Sequence, residues 1–285
     1  MKADKGQKRL SRSKGGDIFL FTVILFFAAF MALPFVYSII QSVKPMEEIF
    51  IFPPRLFVKN PTLNNFYEMF QLTNNLWVPF DRYLFNSIFV TVCATFFHVV
   101  LSSMAAFALA KGRFKGRQFI FDMVVLSLLF TFEVARVPQY IIMSKMHMID
   151  KIWALLLPPI AAPLGLFLIK QFVGQLNDAI IESARIDGAS EISLFWRIIM
   201  PNIKPAWMTL IIFSFQTIWN REASEFIYSE SLKVLPTILR QISSSGLARA
   251  GVGSAAAVVL LIPPIVTFVI AQNNVMETMV HSGIK

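Results

Sequence analysis

Apolar and polar positions along this chain fall into blocks rather than alternating. Six long apolar runs, over 18–43, 83–110, 119–143, 152–172, 206–228 and 252–271, are separated by polar, charged or Pro-rich stretches. Each run holds about 20 residues or more, the length a helix needs to cross roughly 30 Å of hydrocarbon. Lipid offers backbone groups no partner outside their own segment, so such runs form helices. The pattern predicts an all-α polytopic membrane protein with six transmembrane helices. Pro34 predicts a kink in the first run, Pro158, Pro159 and Pro163 interrupt the fourth, and Pro263 and Pro264 sit in the sixth. The first run is too long for a signal peptide and lacks a small-residue cleavage site.

The stretches between the runs have distinct characters. Residues 1–17 form a polar basic tail, and 44–82 a Pro-rich external loop with a short amphipathic piece near Leu63 to Phe70. Lys111, Arg113, Lys115 and Arg117 make a dense positive turn, and 229–249 is a second external segment. An even number of spans puts both termini on one side. The larger share of the 26 Lys and Arg falls on the side that holds the termini, the positive turn and the loop 177–205. Positive charge is retained at the cytoplasmic face, so that side is expected to be cytoplasmic.

The loop 177–205, NDAIIESARIDGASEISLFWRIIMPNIKP, is a polar island in this apolar sequence. Asn177 and Asp178 supply a helix start, and Ile180, Ile181, Ala184 and Arg185 follow at helical spacing. Asp187-Gly188 breaks that helix, since glycine tolerates the positive φ of a tight exit. Ser190, with Glu191 and Ser193, opens a second helix in which Ile192, Phe195, Trp196 and Ile199 form an apolar stripe. Pro201 and Pro205 end that segment and start the next.

These residues resemble the EAA loop of permease subunits of ATP-driven (ABC-type) importers. The family pattern is matched by Glu182, Ala184, Gly188 six residues after the Glu, Ile198 and Pro201, with Ser183 in place of the first Ala and Met200 in place of the Leu. The extended form is similar to the carbohydrate-importing branch, in particular to the second permease of maltose-type systems. The resemblance implies a type I importer fold over 18–285 in a bacterial cytoplasmic membrane. It also implies a second, homologous permease, two ATPase subunits that bind ATP and Mg, an extracytoplasmic solute-binding protein and a carbohydrate substrate. The coupling element would be Glu182, Ser183, Ala184, Asp187, Gly188, Ala189, Phe195 and Pro201, with Ile181, Ala184, Ala189 and Phe195 giving the apolar contact to the ATPase.

Composition agrees with the membrane reading: 56% of residues are hydrophobic, 29 are Phe, and the mean hydropathy is +0.63. The net charge of +9 is spread over loops, which argues against a nucleic-acid face. Catalysis is not expected. No GxxxxGK[ST] loop is present, so ATP must be bound by a partner. His98, His147 and His281 lie in different segments without metal-ligand spacing, and Cys93 is the single cysteine. An ion-coupled secondary transporter or channel, the alternative class, would need coupling residues at mid-membrane and usually a repeat.

Within the runs, Glu133 and Arg136 share a helix face at i and i+3. Each costs about 2.5–3.5 kcal/mol at the centre of a span, so they are expected either to pair structurally or to line the substrate path. Gln216, Trp219 and Asn220 are candidates for the same path, since sugars are bound by aromatic faces and amides. Helix–helix packing is the other reading of these three. Arg55, Lys59, Lys233 and Arg240, on the external side, would permit an acidic glycan.

Overall fold

In the computed structural model the described residues are 14–53, 55–74, 78–222, 225–244, 246 and 249–282. The basic tail expected over 1–17 lies outside them as far as residue 13, as does the extreme C-terminus, 283–285. Among the described residues the chain is helical, with no strand.

Among the described residues, four segments are long and apolar enough to cross a membrane. They are α1 (Lys14–Ser42), α4 (Phe80–Lys111), the pair α7 (Ile152–Ile160) and α8 (Pro163–Gln175), and the first part of α14 (Ala250–Ser282). Pro163 occupies the first turn of α8, where its missing N–H costs nothing, and residues 161–162 make the break. Between α1 and α4 lie two short helices, α2 (Met46–Ile49) and α3 (Asn64–Asn74).

Two of the expected spans are built differently. The run 119–143 divides into α5 (Arg117–Ser127) and α6 (Phe132–Lys145). At 1.5 Å per residue these reach only about 16 and 21 Å. Tight i to i+3 bonds from the amides of Leu128, Leu129 and Phe130 wind up the end of α5, and Thr131 is extended. The residues at this break are themselves apolar, so hydropathy alone could not reveal it. The run 206–228 stops early: α12 (Lys204–Trp219) is 16 residues long, and Asn220 closes it. Before α12 come α9 (Asp178–Ile186), α10 (Glu191–Leu194), one π turn over Phe195–Ile199, and α11 (Met200–Asn202). The segment Glu191–Asn202 meets α12 at 79°, and counting that bent pair as one span gives five. The described helices end with α13 (Leu235–Ser243) ahead of α14.

α4 is the hub. It packs against α7, α8, α12 and α13, and its buried positions include Ser87, Thr91, Ala94, Thr95, Ser102 and Ala106. Small and hydroxyl side chains let helix backbones approach closely where lipid provides no hydrophobic drive. Gly165 on α8 shows how close: a Cβ built there would lie 2.3 Å from His98 Nε2 and 2.5 Å from Ser102 Oγ. By contrast, a Cβ at Gly174, on the same helix, meets nothing within 4 Å.

Buried amides hold the connecting segments to the helix ends. Asn86 Nδ2 donates to the carbonyls of Ser231 and Lys233, at 2.8 and 3.0 Å, and Leu235 N donates to Ser87 Oγ at 2.7 Å. Asn65 Nδ2 donates to the carbonyls of Ser42 and Lys44, at 2.9 and 2.8 Å. Such bonds supply partners for backbone groups that leave regular helix near a membrane.

The α4–α8 contact yields a direct test. We expect Gly165→Ala to destabilise the protein by about 1–3 kcal/mol through overpacking. Gly174→Ala should be neutral or stabilising by up to about 1 kcal/mol, since Ala is the better helix former. Thermal melting of the two variants in detergent checks the pair.

Candidate functional site

The loop 177–205 folds as a helix–turn–helix. Asn177 Oδ1 accepts from the amide of Ala179 at 3.0 Å, capping α9. The exit is a Schellman motif: Ala189 N donates to Ala184 O at 3.0 Å, and Gly188 N to Arg185 O at 3.1 Å. Gly188 takes φ +80°, with open space where a Cβ would be. Backbone conformation, not crowding, therefore selects glycine there. Ser190 Oγ then accepts from Ser193 N at 3.2 Å and opens α10.

One face of this unit is clamped to the helices. Ile181, Ala184, Leu194, Phe195 and Ile199 are buried in a single cluster with Val99 and Ala106 of α4, Ile169 and Val173 of α8, and Ala206 and Leu210 of α12. The other face carries Glu182, Ser183, Asp187, Gly188 and Pro201, all exposed, with Ala189 half-buried at the edge. This corrects the expected apolar contact surface. Ile181, Ala184 and Phe195 are spent inside the chain, and the large apolar groups most exposed outward are Ile186, 86%, and Ile192, 74%, with Ile180 and Trp196 about half exposed. Helical geometry explains it: Ile186 lies about 140° around α9 from Ile181.

Charges tie the unit down at its ends. Lys111 Nζ, its stem buried, donates to Asp178 Oδ1 at 2.6 Å and to the Leu176 carbonyl at 2.7 Å. That hydrogen bond and charge hold the Asp178 carboxyl below the usual carboxylate range. Arg185 spans the turn to Glu191 Oε1, 3.0 Å from both Nε and Nη2. Arg113 lies 3.8 Å from Glu182 with both side chains exposed, a pairing worth little.

A second feature is a groove of about 920 Å³ between α4, α5, α6, the α7–α8 break and α12. Its polar lining includes Ser127, Thr131, Gln139, Ser214, Thr217 and Arg221, and the rest is largely apolar. His98 stands in its wall, with Nδ1 2.8 Å from Ser214 Oγ and Nε2 3.1 Å from the Ala162 carbonyl. A carbonyl only accepts, so Nε2 carries a proton. His98 thereby ties the α7–α8 break to α4 and α12.

None of the five residues expected along a substrate path lines this groove. Trp219 is 1% exposed, stacks on Phe215, and donates through Nε1 to the Leu260 carbonyl of α14 at 2.9 Å. Its indole N–H is used in joining two helices. Gln216 and Asn220 are exposed, and Asn220 Nδ2 donates to the Gln216 carbonyl at 2.9 Å. Glu133 and Arg136 pair at 3.2 Å, and Arg136 also approaches Glu225 at 3.8 Å. Glu225 was missed because it lies far along the sequence. The groove takes Ser214 and Thr217 from α12, at the i, i+3 spacing of one helix face, and Arg221 from just beyond its end. That spacing is local and can be read from the sequence.

A bundle with several helices long and apolar enough to cross a membrane, carrying an outward helix–turn–helix, defines a multi-pass membrane protein. The chain belongs to the family described as the binding-protein-dependent transport system inner membrane component, which it matches over residues 79–279. It is 34% identical to the protein LplC of Bacillus subtilis over 82% of this chain and 79% of that one. It is 30% identical to the polygalacturonan/rhamnogalacturonan transport system permease protein YtcP of the same organism, over 79% and 77% of the two chains. It is 27% identical to the arabinooligosaccharides transport system permease protein AraQ of Halalkalibacterium halodurans, over 93% and 96%. A chain of a bacterial ABC transporter that imports the acidic polysaccharide alginate shares the fold, with TM-score 0.77 at 19% identity over 93% of this chain and 99% of that one.

The Lys111–Asp178 tie has a defined pH range. Because the folded-state pKa of Asp178 is lowered, its contribution is present above the ordinary value of 3.8 and is lost as pH falls through the lowered value. We expect amide protection over Asp178–Ile186, once corrected for intrinsic exchange rates, to be unchanged from about pH 8 to pH 5 and to drop below pH 4. In Lys111→Gln it should be reduced across the whole range. Hydrogen–deuterium exchange with mass spectrometry reads both.

Proposed function

We propose that this chain is the permease subunit of an ATP-driven importer for a sugar or oligosaccharide, coupled to separate ATPase subunits through the loop 177–205. The observation that carries the proposal is the two-faced helix–turn–helix. Its outward face has the exposed Glu182, Ser183, Asp187, Gly188, Ile186 and Ile192, and its inward face is welded to α4, α8 and α12. A load on the outer face reaches the groove through that weld, because packed interiors transmit displacement rather than absorb it. Ala184 and Phe195 act in coupling as anchors, while Ala189 and Pro201 bound the contact surface.

In this reading α5–α6 together and α12 complete six spans, with both termini and the coupling loop cytoplasmic. A second, homologous permease completes the translocation path, and an extracytoplasmic solute-binding protein delivers substrate. ATP and Mg are held by the two ATPase subunits. Relatives and a structural neighbour bear names for polygalacturonan/rhamnogalacturonan, arabinooligosaccharides and alginate, which supports a carbohydrate substrate. Ser127, Thr131, Gln139, Ser214 and Thr217 would offer hydroxyls and an amide to sugar hydroxyls along the groove.

The deciding experiment is ATPase activity of the affinity-purified complex with binding protein and candidate sugars, native against Gly188→Val. A β-branched residue at φ +80° carries strain of about 1–3 kcal/mol. We expect sugar-stimulated hydrolysis in the native complex and at least a tenfold loss in the variant, corresponding to about 1.4 kcal/mol or more. Ile186→Asp should release the ATPase subunits, costing about 1 kcal/mol or more of their binding, and leave the melting temperature of the permease unchanged. If no ATPase co-purifies, uptake follows an ion gradient and Gly188→Val transports normally, the chain is an ion-coupled transporter.

A further inference from the structure

The loop that follows α1 is held in one shape and displays apolar side chains. Lys44 and Glu48 are 1% and 7% exposed, and both serve its backbone. Lys44 Nζ donates to the Arg55 carbonyl at 2.7 Å. The two carboxylate oxygens of Glu48 accept from the amides of Lys59 and Asn60, each at 3.0 Å. The amide of Thr62 returns to the Val43 carbonyl at 2.8 Å, which closes the loop on the end of α1. Two charged side chains are thus buried to fix a loop that turns Phe50, Phe52, Leu56 and Phe57 outward. Phe52 is 92% and Phe57 78% exposed. Loops in water with no partner are not built this way, since fixing the backbone costs conformational entropy while leaving apolar area wet.

What covers the loop follows from where it is pinned. The apolar stretch Gly15–Ser42 of α1 is 28 residues long, about 42 Å at 1.5 Å per residue. That equals the roughly 40–45 Å of a bilayer including both headgroup layers, not merely its hydrocarbon. Large apolar side chains face outward along α1 from Ile18 to Ile39, so the exposed face of the loop continues a lipid-facing surface. The loop therefore lies at headgroup level. Arg55 and Lys59, both exposed on it, are placed where cationic groups reach lipid phosphates while neighbouring rings enter the acyl boundary.

We propose that residues 50–53 and 55–59 form a membrane-interface anchor: Phe52, Leu56 and Phe57 enter the headgroup–acyl boundary of the leaflet in which α1 ends, and Arg55 and Lys59 bind lipid phosphates. The anchor fixes the height of α1 and of the α3 segment tied to it through Asn65. The inference needs only that α1 crosses the membrane, and it is independent of substrate, energy source and which side is cytoplasmic.

The single native cysteine makes the test direct. Cys93→Ser combined with Phe57→Cys, and separately with Phe52→Cys, is spin-labelled in the permease purified with its partner subunits. The labelled protein is placed in nanodiscs of phosphatidylethanolamine and phosphatidylglycerol. Both positions are exposed, so labelling leaves the packing intact, and an unchanged elution profile checks that. Collision with oxygen outweighing collision with a water-soluble nickel chelate is the expected result, together with loss of that preference on transfer to a soluble amphipol. A label that collides mainly with the nickel chelate in nanodiscs overturns the proposal in favour of a water-exposed loop. A label shielded from both reagents overturns it in favour of a protein cover, either the second permease or the binding protein.

Discussion

The burial of Ile181, Ala184, Leu194, Phe195 and Ile199 against α4, α8 and α12 is the constraint on which the rest depends. Without it, the polar segment between α8 and α12 would be a tether, and no displacement of its outer face would reach the bundle. With it, α9, α10 and the π turn become an extension of the membrane helices. The caps at Asn177 and Ser190 and the Schellman exit at Gly188 shape this extension. The apolar cluster fixes its orientation. A 79° bend then leads into α12, which supplies Ser214 and Thr217 to the groove.

A second constraint is the need to satisfy backbone groups wherever a helix breaks near lipid. The breaks at 128–131 and 161–162 and the end of α12 all border the groove or its mouth. At 161–162 the carbonyl of Ala162, at the start of α8, accepts from His98. Beyond the helix ends, Asn65, Asn86 and Ser87 do the same work for connecting segments. Asp150 serves Tyr228 and Ser229, and the hydroxyl and amide of Ser229 hold its carboxyl below the usual range. Polar side chains in this protein mostly serve the backbone. That is why polarity within an apolar run does not mark the groove: Trp219 and Asn220 serve helix carbonyls, whereas Ser214 and Thr217 line it.

The all-helical membrane class, the position of the helix–turn–helix and the role of Gly188 were legible because each rests on local physics. Hydropathy is a property of short windows, and caps and positive-φ turns are set by residues within one helical turn. The interruption of the third run was not legible, since Leu128, Leu129 and Phe130 are as apolar as the helices they separate. Nor was the early end of α12, or the pairing of Arg136 with Glu225, because nothing local to residue 136 names a partner so far along the chain.

By itself, then, the sequence determined which segments prefer lipid, where the chain turns, and the family to which the loop 177–205 belongs. Tertiary structure alone decided which side of each amphipathic element is consumed inside the chain. Ile181 and Ile186, on one short helix and equally apolar, end in the core and in the open because only one side of that helix joins the buried cluster. The groove was likewise a tertiary result. It exists where Gly165 lets α8 close onto His98 and where the broken third run stands away from α12, and both depend on packing between segments that have no contact along the sequence.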